Sequence, residues 1–277
     1  MSENPSETTP PPRRVYERPP IFQRIATVFA DVNQDVHEAQ FEEWRLQVET
    51  EFPHYEPLEE WLLNVHEKEG IPLWDTMQPE LKITPRFSKK PKSENFDWSL
   101  RCPPGKLQIN MHSNPDNPRR YRELESSFSE WLPRWLGRFE VKNFKKVSLR
   151  YINRLNALTI PNFTVPPDQL LLDQVLNVFV RIPGEHESLI PPYDCRATLL
   201  LGGKKGATFE IRVYSDPDAT TQPSVRVDFV VTVMVSPEES SAAGILKLME
   251  WCHERILDRF ELVFTEAARE SFVPTTT

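Results

Sequence analysis

The stretch VRVDFVVTVMV, residues 225–235, alternates so strictly that Val225, Val227, Phe229, Val231, Val233 and Val235 share one face, while Arg226 and Asp228 begin the other. Such a segment is stable as a strand whose apolar face lies on a core. It therefore demands neighbouring strands and a covering layer. The same pattern predicts strands at 195–201 and 207–214, joined by GGKKG and followed by the turn-rich SDPDATTQPS, so the three read as an antiparallel meander. Further strands are predicted at 21–30 (IFQRIATVFA), at 147–155 (VSLRYINRL) and at 174–182, and DWSLRCPPGKLQINM reads as a β-hairpin around Pro103-Pro104-Gly105.

Helical spacing supplies the covering layers. Phe41, Trp44, Val48 and Phe52 form a stripe that Pro53 ends, and PLEEWLLNVHEK reads as a short helical stretch. A second long helix is predicted to open with Asn117 as N-cap and Pro118 at its first position. It carries Tyr121, Leu124, Phe128, Trp131, Leu132 and Trp135, with a kink or early end at Pro133 and a stop at Gly137. A third opens with the capping box of Ser236, Pro237 and Glu239 and carries Ile245, Leu248, Met249, Cys252, Ile256, Phe260 and Val263. Trp44, Trp61, Trp131, Trp135 and Trp251 all fall in predicted helices, as core or subunit-interface anchors. The fold class expected is α+β, mostly antiparallel sheet packed by long amphipathic helices, with two related α/β halves suggested by the recurrence of strands plus one long helix. Residues 1–19 read as a disordered Pro-rich tail, 20–160 as an N-terminal α+β half, and 161–277 as an antiparallel meander plus long helix.

Composition bounds the function classes. No apolar run approaches the 18 or so residues of a membrane-spanning helix, and the first residues lack the apolar core of a signal peptide, so the expected location is the cytoplasm. Three cysteines without CxxC spacing, Cys102, Cys195 and Cys252, read as buried free thiols. A net charge of −8 argues against binding nucleic acid over the whole surface. A local basic patch stays open as an alternative, built from Lys82, Arg86, Lys89, Lys90 and Lys92 with Arg119, Arg120 and Arg122, although no aromatic platform is interleaved with those charges.

Chemistry is harder to find. GxSxG, HExxH, GxxxxGK[ST] and GxGxxG are all absent from the sequence, so the chain leans toward a non-catalytic role and calls for no cofactor. The nearest approach to a metal site is Asp194 with Glu210 in FEIRV, but Arg212 stands where a lysine would be wanted. In WCHER, His253 lies about 100° around the helix from Cys252, poor geometry for a thiol–imidazole pair, and it reads as a boundary residue packed on the sheet. The strand VSLRYINRL is the most unusual segment. Val147, Leu149, Tyr151, Asn153 and Leu155 share one face and Ser148, Arg150, Ile152 and Arg154 the other, so Asn153 occupies an apolar register. Two readings of Asn153 stand side by side: a tie between the strand and main chain, or, with Tyr151, the wall of a pocket. The candidate polar site is therefore Arg150, Tyr151, Asn153, Arg154 and His253.

The segments RPPIFQ, GKLQIN, LRYINRL and HERILDRFELVFTEAARE together resemble a sporadically distributed family of bacterial proteins of similar length, one without an assigned activity. The resemblance spans nearly all of the chain past the tail, with Arg150, Tyr151, Asn153, His253, Phe260 and Thr265 at characteristic positions. It implies a bacterial cytoplasmic protein acting in a defence or toxin-linked setting. The functional expectation is an interaction protein that binds a protein partner and self-associates. The alternatives are a nucleic-acid accessory factor using the basic patch, and a small-molecule or nucleotide enzyme using RYINR with Asp194 and Glu210.

Overall fold

The computed structural model describes residues 16, 19–64, 67–68, 71–72, 78–91, 97–113, 119–141, 143–165, 169–170, 172–177, 194–216 and 224–272. Among them, nine strands form one sheet: β1 (Ile21–Asp31), β2 (His54–Asn64), β3 (Gln78–Ser88), β4 (Trp98–Arg101), β5 (Lys106–His112), β6 (Asn143–Leu155), β7 (Asp194–Leu200), β8 (Thr208–Ser215) and β9 (Val225–Met234). Their order is β7-β8-β9-β6-β1-β5-β4-β3-β2, and every neighbouring pair is antiparallel. The helices are α1 (Gln34–Glu49), α2 (Tyr121–Phe139), α3 (Leu172–Val175), α4 (Ala242–Val263) and α5 (Glu266–Glu270). The fold is α+β on an antiparallel sheet.

One face of the sheet, called inner here, carries the helices. α4 packs on β6 and β9, α2 on β5 and β1, and α1 lies beside α2. The inner positions alternate as a half-buried sheet requires: Ala26, Val28 and Ala30 on β1, Leu107, Ile109 and Met111 on β5, Val147 and Leu149 on β6, and Val227 to Val233 in steps of two on β9 are all buried. Trp44 of α1 and Trp131 and Trp135 of α2 are fully enclosed, with Trp44 edge-on to Trp131 at 5.5 Å. Burying such a side chain stabilises the fold by roughly 1.5–3 kcal/mol. Because these rings are spent inside the chain, the helices present them to no partner.

Several expectations need correction. PLEEWLLNVHEK is not helical: its residues through Asn64 belong to edge strand β2, which pairs with β3 over eleven positions from His54↔Ser88 to Asn64↔Gln78. Pro57 sits there opposite Pro85, at an edge where a missing N–H is tolerated, and Trp61 is thus a strand residue. Helix α2 begins at Tyr121 with Arg120 at its cap, and Asn117 and Pro118 lie outside the described residues. It runs through Pro133 and past Gly137 to Phe139, ending on Glu140 in the left-handed region at φ 48°. The Ser236–Glu239 capping box closes only a 3-10 turn, whereas α4 is capped by the Ser241 hydroxyl, which accepts from Gly244 N–H at 3.0 Å. Of the strand expected at 174–182, the first two residues belong to the α3 turn and Leu176 forms an isolated bridge with Phe264, while 178–182 lie, with the rest of 178–193 and residues 1–15 of the tail, outside the described residues. Cys102 and Cys252 are buried but Cys195 is exposed, because it rides on edge strand β7. Among the described residues no helix is long and apolar enough to cross a membrane.

The β4–β5 hairpin needs its glycine. Gly105 has φ +72° and accepts from the Ala30 N–H at 2.9 Å, and a Cβ there would stand 2.7 Å from the Ala30 carbonyl oxygen.

Candidate functional site

The two faces of β6 enter different polar clusters. On the inner face, Tyr151 is enclosed between sheet and α4, and its hydroxyl lies 2.7 Å from His253 Nδ1. The His253 ring in turn stacks on Tyr121 of α2, centroids 3.8 Å apart and planes at 12°. Arg24, buried on β1 beside Tyr151, sets its guanidinium 5.1 Å from the Tyr151 ring centroid. Burial pushes the Tyr151 phenol up, against the opposing pull of Arg24, and it raises Tyr121, with Glu250 adding to the effect. Burial also lowers the Arg24 guanidinium, which Tyr151 partly offsets. Glu250, one turn from His253, is raised by burial and by Glu125 and Glu254. The Tyr151 hydroxyl and His253 Nδ1 thus share one hydrogen bond that joins the sheet to α4. The pair is arranged to position a ring, and the Arg24 Nε and Nη1 atoms beside it are enclosed without a hydrogen-bond partner.

Asn153 lies on the same face, wholly buried. Its Nδ2 donates to the Val227 carbonyl at 2.9 Å on the opposed position of β9, and its Oδ1 makes no hydrogen bond. Through this contact it ties β6 to the main chain of β9.

On the outer face, Arg150 pairs with Asp228, a carboxyl raised by burial against the lowering effect of Arg150. Arg154 and Arg226 both reach Asp216 at 2.8 Å, one on each carboxylate oxygen, and the Ser224 hydroxyl donates to Oδ2 at 3.0 Å. Phe22 lies beneath them, its ring 3.8 Å from the Arg154 guanidinium carbon and 5.6 Å from that of Arg226, with His112 edge-on at 5.4 Å. Burial lowers His112 to about 4, opposed by Asp97 and reinforced by Arg154, Arg226 and Arg86. Farther along this face Arg196 pairs with Glu210 and Arg212 with Asp194. Asp194 and Glu210 are held apart, Asp194 opposite Tyr214 and Glu210 opposite Thr198 in the β7–β8 ladder, and each carboxylate is taken by an arginine. The Asp194 carboxyl is lowered by its hydrogen bond from Arg212. Among the described residues no group of three or more His, Cys, Asp or Glu is placed to hold a metal ion.

The basic stretch divides. Arg86 is buried on the outer face against Glu56, whereas Lys89 reaches the other side, over Trp98 at 5.4 Å. Arg119 approaches the same ring at 5.9 Å and stands 3.7 Å from Asp97, as Lys90 does, and it bonds Glu123 at 2.8 Å. Arg120 donates to the Tyr16 carbonyl at 3.3 Å. Arg122 borders a shallow depression of about 410 Å³ that includes Lys89, Trp98, Glu123 and Glu130. Lys92 and the Lys82 side chain lie outside the described residues.

The candidate residues therefore fall into three places. Tyr151, Asn153 and His253 share the inner face, Arg150 and Arg154 the outer, and Lys89, Lys90 and Arg119 gather on Trp98 and Asp97. Sequence reading missed Arg24, Tyr121, Phe22, His112, Asp216 and Arg226. Only Arg24 left a signal, an arginine in step with Ala26, Val28 and Ala30 on the apolar face of β1. Comparison with protein-family models, curated proteins and solved structures found no match.

Proposed function

We propose that this chain is a non-catalytic interaction protein that recognises other protein by strand addition at β7. One observation carries the reading: all seven residues of β7 are exposed although the strand belongs to the sheet, with Leu199 at 48% and Leu200 at 85%. Among the described residues, β7 pairs with β8 along one edge and with nothing along the other. An exposed edge offers a row of main-chain donors and acceptors, and the exposed apolar side chains of Cys195, Ala197 and Leu199 supply a helix-side contact. The outer cluster on β6 fits this role as an internal support, since its arginines are paired within it, Arg150 with Asp228 and both Arg154 and Arg226 with Asp216. The reading extends to a bacterial cytoplasmic protein in a defence or toxin-linked setting, supported by the family resemblance. It also treats the sheet as two related α/β halves, each packed by amphipathic helix, that meet at the β6–β9 ladder.

The test compares capture of host proteins by the wild-type chain and by Leu199→Lys, after circular dichroism shows both folded alike. Loss of a captured protein, or of association with a second copy, upon the substitution supports edge recognition; a variant that captures the same proteins and associates as the wild type does removes it. A second reading, nucleic-acid binding, draws on the gathering of Lys89 and Arg119 over Trp98. The acids Asp97, Glu123 and Glu130 at the same place oppose it. Binding to single-stranded DNA or RNA that falls steeply with salt would favour this second reading, and no binding at low salt would dismiss it.

A further inference from the structure

We infer that β7 seats the same strand of a second copy of this chain, antiparallel and centred on Ala197, joining the two sheets across a two-fold axis normal to them. The inference rests on the reading of β7 as the interaction edge and names the partner. A two-fold axis of that kind keeps both helix layers on one side, so opposed residues must share a face, which leaves few registers. Centring on Ala197 opposes Cys195 to Leu199 of the second copy, Arg196 to Thr198, and Asp194 to Leu200, and it uses all seven residues of the strand.

The helix-side face then joins Cys195, Ala197 and Leu199 of both copies into one apolar row, and no like charges meet on the outer face. Centring one residue earlier would set Arg196 against its own copy, and centring one later would leave Asp194 and Cys195 unpaired. The net charge of −8 on each chain does not forbid the contact, because charges beyond about 8 Å are screened at physiological salt. At the edge itself Asp194 is already matched by Arg212, and Arg196 by Glu210, within each chain. A contact built on one strand of seven residues lies at the small end of specific interfaces, so the dimer is reversible and dilution dissociates it.

Sedimentation equilibrium of the full chain over about 1–200 µM, a range suited to a small interface, is expected to show the mass rising from 32.4 kDa towards twice that value. Ala197→Lys, which places two lysines face to face, is expected to weaken association at least tenfold. In a Cys195→Ser background, Ala197→Cys oxidised with copper phenanthroline is expected to give a covalent dimer. Opposed Cα atoms stand about 4.5–5.5 Å apart in such a ladder, within disulfide range. Thr198→Cys in the same background is expected to give none, since its opposite residue is Arg196. A chain that stays monomeric at the highest concentration and yields no Ala197→Cys cross-link overturns the inference. If Leu199→Lys still abolishes capture of a host protein in that case, edge recognition stands and only the second-copy assignment falls. If it does not, both fall.

Discussion

Replacing Asp216 with alanine removes the carboxylate on which the outer ion-pair cluster converges. Its side chain is 1% exposed and reaches Arg226 and Arg154 at 2.8 Å each, with Ser224 at 3.0 Å. Deleting one partner of a buried ion pair costs about 3–5 kcal/mol, because the remaining charge stays desolvated. Arg226, at 12% exposure, is close to that limit. Arg154 is 28% exposed and keeps its contact with the Phe22 ring, so water and the ring recover part of the loss. The expected destabilisation is therefore about 2–4 kcal/mol, which in a chain of this size lowers the melting temperature by about 5–12 °C. Thermal melts and urea titrations followed by circular dichroism at pH 7 measure it. Adding Arg226→Met to Asp216→Ala should restore part of the loss, since it removes the stranded charge. A single-variant loss below about 1 kcal/mol, the worth of a surface pair, would refute the reasoning and mean that the cluster relaxes into solvent.

Other consequences follow from the same geometry. His112, lowered from 6.5 to about 4, contributes stability that is present above its unfolded pKa and is lost as the pH falls through that window. His112→Gln should lose less stability than wild type between pH 7 and 4, and equal pH slopes would count against the assignment. Tyr151→Phe keeps the ring under Arg24 but deletes the hydroxyl on His253, with an expected cost of about 1–2 kcal/mol by urea denaturation. A cost near zero would mean that the contact contributes nothing. Gly105→Ala combines a left-handed backbone with a 2.7 Å approach to the Ala30 oxygen, so a loss of about 1–3 kcal/mol is expected. An unchanged melting temperature would show that the hairpin shifts freely.

How much was legible depended on whether local periodicity had one solution. The alternation of Val225–Val235, the hairpin around Pro103-Pro104-Gly105 and the stripe of Tyr121 to Trp135 each admit a single way to hide their apolar side chains, and each forms where the pattern puts it. PLEEWLLN did not: Leu58, Trp61 and Leu62 sit at helical spacing, and eleven rungs with β3 outweigh that local preference. The same limit applied to the polar residues. Period two correctly separated Tyr151 and Asn153 from Arg150 and Arg154, but the partners of all four come from elements dozens of residues away.

The sequence by itself determined which segments are amphipathic and with what period, hence an antiparallel α+β fold and the two faces of β6, because side-chain alternation is a local property of the backbone. Only the tertiary structure decided that His253 of α4 meets Tyr151 and Tyr121, that Asp216 gathers Arg154 and Arg226 over Phe22, and that Arg86 parts from Lys89 to opposite sides. It alone also set β7 at the sheet's edge. These are outcomes of strand order and register, which depend on long-range pairings that no local pattern encodes.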